Sequence, residues 1–491
     1  MNTTFSAKGL NAASRYVIPF PALSLCIGYA VVLFARRAFN DGDTYWHIAT
    51  GLWILAHHSI PHVDPFSYAL AGAPWTAHEW LSEVLMALAY RAGAWDGVLV
   101  LFATAAAATC GSLARYLGRW MDQPEAAIVF LLGIACAGGS LLARPHLLAL
   151  TALTLWTIGL MNAKDQGSSP ALWLLPLMSI WANLHGSFVF GFALALPIAL
   201  EAVVESEPSR RLVTARRWAL FLAAAIAASL VTPHGWHGLL FPFLLMRMSI
   251  NSNIAEWAPT SFHTFQPLEG ALVALLYVAF TRSVRVPVGR LAILIGLLCL
   301  SLSHARHQMV AGVVGAIVLA KPLGHAFGQA DGAAEEIAIP IGKRWMTVVI
   351  ACLAVLTIVR FTDPLERSDD PVSPITAIGH VPQAVLDMHV LNSYEFGGYL
   401  IFRHIKPFID GRADLYGDAF ITEYIAGVAQ SRATLQHIID KYDIRWALLA
   451  AGTPTVDTIS SLPHWRRLYA DDVAAVLIRD EPTHQVDRGT P

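Results

Sequence analysis

A series of apolar runs separated by short loops constrains this chain more than any other feature. The runs lie at about 17–35, 97–114, 124–142, 146–161, 170–182, 187–204, 217–232, 267–281, 290–303, 308–320 and 345–361. A helix that crosses the hydrocarbon core of a bilayer needs about 20 predominantly apolar residues. The pattern therefore predicts a mainly α-helical, polytopic membrane domain of about eleven spans, embedded in the lipid bilayer.

Charged residues are scarce and unevenly distributed. They make up 14% of the 491 residues, against about a quarter in an ordinary globular protein, and 29 of the 68 lie after position 361. We therefore predict a transmembrane domain over 1–361 and a small soluble α/β domain over 362–491. The net charge of −2 gives no argument for a nucleic-acid partner.

The basic residues predict an orientation. Because Lys and Arg accumulate in short cytoplasmic loops, we assign the densest basic loop, at 210–217, to the cytoplasm. Alternation from it places the N-terminus inside and the tail domain outside, which would be the periplasmic side of a bacterial inner membrane. The first apolar run is span-length without a following cleavage site, so we expect no cleaved signal. Whether 79–92 and 239–248 also span stays open.

Ionisable side chains collect at helix ends on the predicted outer face. Twelve of the 13 histidines before position 362 fall there. Interfacial anchoring explains any one such cluster, but charge beside lipid is costly and favours function when it recurs. We therefore predict a polar cavity that opens outward, with these binding candidates: His47, Glu79, Glu83, Arg144, His146, His185, His234, Glu256, Arg306 and His307.

The first outer segment, about 36–95, is long enough to hold structure of its own. Its apolar spacing over Thr44–His58 predicts an amphipathic helix that lies along the membrane surface. Prolines then break the chain, and Glu79–Ala92 predicts a second helix on which Glu79 and Glu83 share a face.

The run Asp41-Gly-Asp43-Thr-Tyr-Trp-His47, directly after the first span, resembles the acidic motif of the GT-C superfamily of polytopic glycosyltransferases. The tail segments Asn392–Leu400 and Phe408–Tyr416 resemble signatures of uncharacterised bacterial membrane proteins placed near that superfamily. The resemblance implies an enzyme that takes a sugar from a polyprenyl-phosphate donor. The acceptor would be a glycan, a lipid or a protein at the outer face.

An inverting sugar transfer needs a base for the acceptor hydroxyl and positive charge for the departing phosphate. The resemblance makes Asp43 the first choice for the base and Asp41 the second, although Asp43 also suits a helix N-cap. Arg306, with Arg144 as the alternate, would hold the phosphate, because guanidinium binds phosphate oxygens bidentately. Snorkelling at span ends is the alternative explanation of both arginines.

Three glutamates, Glu79, Glu83 and Glu256, could orient the acceptor or complete a divalent metal site with the two aspartates. Their oxygen ligands would suit Mg or Mn. A zinc site is disfavoured, since the sequence has no HExxH or similar pair.

The tail predicts a small α/β sandwich. Strands are expected at about 384–391, 407–409, 446–450 and 473–478, and helices at 419–429 and 433–442. Asp410 and Arg412 stand where a strand enters a loop and could contact an acceptor glycan or lipid headgroup. The alternative is an Asp-Gly turn with a surface ion pair.

Two other functions remain open. A polysaccharide ligase or polymerase that uses a lipid-diphosphate glycan would depend on Arg and His more than on the two aspartates. A transporter or flippase for a lipid-linked glycan would show polar residues on both faces and a repeated half. We find no internal repeat and a one-sided distribution.

Overall fold

The computed structural model describes residues 18–248, 257–329, 342–429 and 431–480. Up to position 362 its α-helices are, in chain order, α1 (Phe20–Leu33), α2 (Asp43–His57), α3 (Trp80–Leu117), α4 (Gln123–Ala135), α5 (Pro145–Asp165), α6 (Leu174–Leu184), α7 (Val189–Glu205), α8 (Arg211–Ser229), α9 (Gly235–Met246), α10 (Pro267–Thr281), α11 (Val288–Ser303), α12 (Gln308–Ala326) and α13 (Lys343–Thr362).

Each of the eleven predicted apolar runs falls on one of these helices, so the prediction of a polytopic α-helical membrane domain is confirmed. Among the described residues six helical segments are long and apolar enough to cross a membrane: Trp80–Leu117, Pro145–Asp165, Gly186–Glu205, Arg211–Ser229, Ala305–Ala326 and Lys343–Thr362. Six shorter apolar helices of 10–17 residues accompany them. The count of about eleven spans therefore stays a prediction.

The two uncertain stretches are both helical. The first continues into a membrane helix, because α3 runs from Trp80 through a kink at Gly93 and Ala94. The second lies in α9, whose 12 residues reach only about 18 Å at 1.5 Å per residue. That length is too short for the roughly 30 Å hydrocarbon core, so α9 does not cross a bilayer by itself.

Helix α2 confirms the predicted helix but not its predicted setting. Its side chains from Thr44 to Gly51 are buried, because the helix packs between α3 and the tail helix Gly397–Phe402. A surface helix would expose one face along its length. In α2 exposure is instead confined to the last turn, where His57 and His58 are exposed.

The first and last membrane helices lie side by side. Helix α13 packs on α1, and the hydroxyls of Tyr29 and Thr357 are hydrogen-bonded at 2.6 Å. Elsewhere α13 presents apolar side chains outward, with Ile350 60% and Ile358 65% exposed. Such a surface is stable only against lipid or another apolar surface.

The tail contains helices α14 (Ile375–Gly379), α15 (Gln383–Leu386), α16 (Gly397–Phe402), α17 (Ala413–Ala429), α18 (Arg432–Lys441) and α19 (Pro454–Ser460). Its strands are β1 (Val390–Asn392), β2 (Trp446–Ala450), β3 (Trp465–Ala470) and β4 (Ala474–Arg479). They form one sheet in the order β1-β2-β4-β3, in which β1 is parallel to β2 and the other pairs are antiparallel. The predicted α/β tail is confirmed.

Two of the predicted strands are wrong, and one strand was not predicted. Most of the stretch at 384–391 is helix and turn, and pairing begins only at Val390. The stretch at 407–409 is buried but unpaired with the sheet, because the Asn392 side chain binds the Phe408 amide at 2.8 Å and the Ile409 carbonyl at 2.7 Å. Strand β3 was not predicted, since its two central arginines are exposed and mask the strand pattern.

Two arginines, the buried Arg360 and the mostly buried Arg367, hold the linker between the membrane helices and the tail. Arg360, 3% exposed, lies 2.8 Å from Asp96. Arg367 donates to the Tyr45 hydroxyl at 3.1 Å and to the Phe39 carbonyl at 3.2 Å. Its guanidinium also lies over the rings of Phe39, Tyr45 and Trp95 at 5.4–5.8 Å. The tail is thereby joined to the start of α2, while the predicted boundary at 361/362 stays a prediction.

Candidate functional site

Arg144 joins the two aspartates of the acidic motif. It directly precedes α5, which begins at Pro145, a residue whose fixed φ suits the first helical position. Its Nη2 lies 2.6 Å from Asp41 Oδ1 and 3.1 Å from Asp43 Oδ2, and its Nε also binds Asp41. The Asp43 amide donates to Asp41 Oδ1 at 2.9 Å, so the motif folds into a compact turn around one guanidinium.

The two carboxylates differ in access. The side chain of Asp41 is 3% exposed and that of Asp43 is 22% exposed. Trp46 Nε1 also donates to Asp43 Oδ1 at 2.9 Å, one turn along α2. Asp41 is therefore placed to hold Arg144, whereas Asp43 is oriented by two donors and remains reachable from outside the protein.

A second cluster surrounds Glu79, at the N-terminal end of α3. The Nε2 atoms of three histidines approach its carboxylate, His47 at 3.6 Å, His78 at 3.5 Å and His185 at 3.4 Å. The other ring nitrogen of His47, Nδ1, lies 3.4 Å from Glu83 Oε1. Because the side chain of Glu79 is 12% exposed and that of Glu83 is 1% exposed, His47 bridges two largely buried carboxyl groups.

Burial and neighbouring charges shift the pKa values of this cluster in different directions. Burial raises the pKa of Glu79, but His78 and His185 outweigh it and the net direction is down. Burial lowers the pKa of His78, and the neighbouring Glu79 more than reverses this, so its pKa is raised. Burial lowers the pKa of His47 to about 4 and that of His185 to about 3. The cluster thus favours an ionised Glu79, favours the protonated form of His78 more than a free imidazole would, and keeps His47 and His185 neutral.

The remaining predicted residues of the membrane part lie around these clusters. The His146 ring is 6.4 Å from the His185 ring, and His146 Nε2 contacts the Ser140 carbonyl at 2.8 Å. His234 Nε2 contacts the Ala77 carbonyl at 3.2 Å, next to His78. His307 is buried, with its ring 5.6 Å from that of Phe190.

Arg306 stands at the edge of the histidine cluster. Its guanidinium lies over the Trp257 ring at 4.6 Å. After burial and Glu79, its positive charge is the next influence on the pKa of His185 and acts to lower it. Arg306 therefore lies within electrostatic range of His185. Glu256 lies outside the described residues.

Arg412 of the tail forms a buried ion pair with the outer segment. Arg412 Nη1 lies 2.6 Å from Asp64 and Nη2 lies 2.7 Å from Asp410, and all three side chains are fully buried. The guanidinium also packs against the Trp75 ring at 4.8 Å. Tyr416 donates to Asp410 at 2.7 Å. These contacts favour a structural role for Asp410 and Arg412 over contact with an acceptor.

Sequence reasoning missed the tail residues that reach the acidic motif. A Cβ at Gly411 would overlap Asp43 Oδ1, and one at Gly398 would overlap the Gly42 carbonyl. Asp414 accepts from Trp75 Nε1 at 3.1 Å. Burial raises the pKa of Asp414, and the charge of His78 acts to lower it. The available signal was the pair of glycine-containing tail motifs, since glycine permits such close backbone approach.

A divalent cation does not fit the acidic pair as it stands. The guanidinium of Arg144 already occupies the position between Asp41 and Asp43 that Mg or Mn would take. Across the described ranges, no group of three or more His, Cys, Asp or Glu is arranged to hold a metal ion.

Two solved membrane enzymes share the fold. The archaeal oligosaccharyltransferase AglB from Archaeoglobus fulgidus, in complex with an inhibitory peptide and a dolichol-phosphate, aligns over 89% of this chain and 70% of its own, at 12% identity and a TM-score of 0.50. ArnT from Cupriavidus metallidurans, bound to undecaprenyl phosphate, aligns over 97% of this chain and 99% of its own, at 13% identity and a TM-score of 0.52.

No protein-family model and no curated protein matches the sequence. At these low identities the structural likeness concerns the fold. As regards the fold, it agrees with the resemblance stated from the sequence.

Proposed function

We propose that this chain is a membrane glycosyltransferase that moves a sugar from a polyprenyl-phosphate donor to a hydroxyl-bearing acceptor, with Asp43 as the general base. The observation that carries the proposal is the geometry of Asp43. Its carboxylate is reachable and is oriented by Trp46 and Arg144, and His47, the residue after Trp46, belongs to the polar cluster around Glu79. The fold shared with enzymes that bind dolichol-phosphate or undecaprenyl phosphate supports a lipid-linked donor.

The reaction uses few protein groups. Asp43 takes the proton of the acceptor hydroxyl while that oxygen attacks the anomeric carbon. A new glycosidic C–O bond forms, the C–O bond to the lipid phosphate breaks, and its electron pair leaves on the phosphate oxygen. Attack opposite the leaving group inverts the anomeric carbon. The sugar thus passes directly to the acceptor, without a covalent intermediate on the protein.

Arg306 and His185 are the groups that would receive the departing phosphate. Arg306 supplies a permanent positive charge, and His185 supplies an imidazole N–H 3.4 Å from Glu79. Because burial keeps the His185 ring neutral at ordinary pH, it acts as a hydrogen-bond donor rather than as a second charge. Asp41 and Arg144 position Asp43.

The site belongs on the outer face in this proposal. The basic loop at 210–217 is cytoplasmic, and the acidic motif and the tail domain are periplasmic in a bacterial inner membrane. A cytoplasm-only reporter fused to the C-terminus should then be inactive. A fully active reporter would contradict the orientation while leaving the chemistry of Asp43 unaffected.

The direct experiment measures sugar transfer from a radiolabelled polyprenyl-phosphate hexose to an envelope extract, with the purified protein in liposomes. Asp43→Asn should reduce the rate about 10²- to 10⁴-fold, the usual contribution of a general base. Asp363→Asn, which changes a carboxylate that is 79% exposed in the linker, is the matched control and should transfer at the wild-type rate. Full activity in Asp43→Asn would contradict the mechanism.

A ligase or polymerase that uses a lipid-diphosphate glycan is the second candidate. The observation that favours it is the group of imidazoles near Arg306, which could hold a larger diphosphate. In that case Arg306→Ala should abolish transfer from a lipid-diphosphate donor while Asp43→Asn retains it. The two variants therefore separate the two reactions in one assay.

A further inference from the structure

The tail motif Asn392–Leu400 is held rigidly at the edge of the acidic motif. Ser393 donates its amide to the Leu448 carbonyl at 2.9 Å and accepts from the Ala450 amide at 2.9 Å, which ties it to β2. The Tyr394 amide donates to the Tyr424 hydroxyl at 3.1 Å. The backbone of this segment is thus fixed by the sheet before any substrate arrives.

Close backbone contacts at the next residues hold this segment against the loop of Asp43. A Cβ added at Gly42 would lie 2.6 Å from the Glu395 carbonyl oxygen. A Cβ at Gly398 would overlap the Gly42 carbonyl. Since neither position has room for a side chain, the tail backbone touches the acidic motif directly, immediately beside Tyr394.

Tyr394 directly precedes Glu395, whose carbonyl oxygen faces Gly42 next to Asp43. Burial raises the pKa of Tyr394 well above its ordinary value, and the negative charges of Asp43 and Asp410 raise it further. Among the side-chain hydrogen bonds of the described residues, none involves this hydroxyl, whereas the Tyr416 and Tyr424 hydroxyls are both engaged. A phenol beside a reactive carboxylate with unused hydrogen-bonding capacity is suited to bind a ligand.

We propose that Tyr394 hydrogen-bonds the acceptor beside Asp43, so that the tail domain supplies part of the acceptor site. This inference rests on the proposed function. The lipid chain of the donor requires the apolar membrane helices, and Arg306 and His185, which would receive its phosphate, belong to that part of the chain. Tyr394 and Gly411 approach Asp43 from the tail, and the base must contact the acceptor, so the tail side is the acceptor side.

The acceptor chemistry follows from the groups around Asp43. Asp43 accepts from Trp46 and Asp414 accepts from Trp75, and the two indole rings lie 6.3 Å apart, while Glu79 lies 3.5 Å from His78. Several hydrogen-bonding groups of this kind match the closely spaced hydroxyls of a sugar better than one isolated alcohol. The acceptor is therefore a glycan, and Tyr394 contacts a hydroxyl next to the one that reacts.

The test compares Tyr394→Phe with Tyr469→Phe, a matched loss of one hydroxyl on β3, where the ring stacks on His380. The probes are a radiolabelled polyprenyl-phosphate hexose and a glycan fraction extracted from the cell envelope. The measurement is the ratio of sugar transferred to glycan to sugar released into water. Loss of one hydrogen bond should lower this ratio about 3- to 10-fold in Tyr394→Phe and leave it at the wild-type value in Tyr469→Phe.

Thermal unfolding without substrate distinguishes binding from a structural role. Tyr394→Phe should melt within about 1 °C of the wild type, since no side-chain hydrogen bond among the described residues involves this hydroxyl. A lower melting temperature by several degrees, or an unchanged transfer ratio, overturns the inference. If wild type and Asp43→Asn behave as proposed and the ratio is unchanged, the inference about Tyr394 alone fails. If the wild type neither transfers nor releases sugar, the proposed function fails and the inference falls with it.

Discussion

The guanidinium of Arg144 reaches Asp43 at 3.1 Å while it is bound more tightly to the buried Asp41. One arginine thus links a structural carboxylate to a reachable one. The arrangement explains why the motif needs two aspartates, because the first holds the arginine that orients the second. It also predicts unequal effects for substitutions that keep charge and those that remove it.

Arg144→Lys should lower sugar transfer by at least 10-fold although the positive charge is kept. A lysine ammonium is a single compact charge and cannot bridge two carboxylates with the planar geometry of guanidinium. The rate should be measured beside Arg210→Lys, which changes an arginine that is 79% exposed in a predicted cytoplasmic loop. Equal rates in both variants would show that only charge matters at position 144.

The histidine cluster predicts an acid-sensitive fold. Burial lowers the pKa of His185 to about 3, whereas an unfolded histidine has a pKa of about 6.5. Below pH 6.5 the unfolded chain binds a proton that the folded chain excludes, so stability falls as the pH falls from 6.5 toward 3. At pH 5 this one residue should cost about 2 kcal/mol.

His185→Gln tests this pH dependence, because glutamine does not titrate in this range. The drop in melting temperature between pH 7 and pH 5 should be smaller in His185→Gln than in the wild type. His237→Gln serves as the control, and its pH dependence should match that of the wild type. An unchanged drop in His185→Gln would mean that other groups cause the acid sensitivity.

Arg412→Met should destabilise the protein by about 3–5 kcal/mol, because it leaves Asp64 and Asp410 buried without their counter-charge. Arg466→Met is the comparison. Its ion pair with Asp480 is 2.9 Å long, but both side chains are 54% exposed, and such pairs contribute about 0–1 kcal/mol. Chemical or thermal unfolding measures both. A similarly small loss of unfolding free energy in both variants would show that Arg412 does not stabilise the contact between the tail and the outer segment.

Gly411→Ala should reduce activity strongly, since the added methyl would overlap Asp43 Oδ1 and displace the carboxylate or the tail. Gly379→Ala, also in the tail, meets nothing within 4 Å and should behave like the wild type. Transfer rate and melting temperature should be measured for both. Wild-type activity in Gly411→Ala would show that the tail backbone does not need to lie against Asp43 during the reaction.

The sequence predicted the helices better than the contacts between side chains within the site. Apolar runs mark membrane helices because lipid imposes one strong requirement on every span. The choice of Arg144 rather than Arg306 as partner of Asp41 depends on tertiary packing, and both arginines occupy similar helix-end positions in sequence. Likewise, Asp410-Gly-Arg412 has the pattern of an exposed turn, and only the approach of Asp64 from 348 residues away buries it.

The tail residues near Asp43 were the least predictable part of the site. Tyr394 and Gly411 are separated from the acidic motif by the whole membrane domain, and no local pattern links them to it. Their placement depends on the linker, where Arg360 and Arg367 fix the exit from the last helix. Long-range anchors of this kind have no periodic signal in a single sequence.

The hydrogen bond between Tyr29 and Thr357 joins residues 328 positions apart, and this has a consequence for biosynthesis. Helices enter the membrane in the order of translation, so α1 is inserted long before its neighbour α13 exists. At about 5–20 residues per second, α1 waits roughly 16 to 66 s for that neighbour. The tail follows α13, so the acidic motif after α1 meets its tail contacts only when nearly the whole chain has been synthesised. A nascent chain arrested before α13 should therefore be inserted in the membrane but inactive.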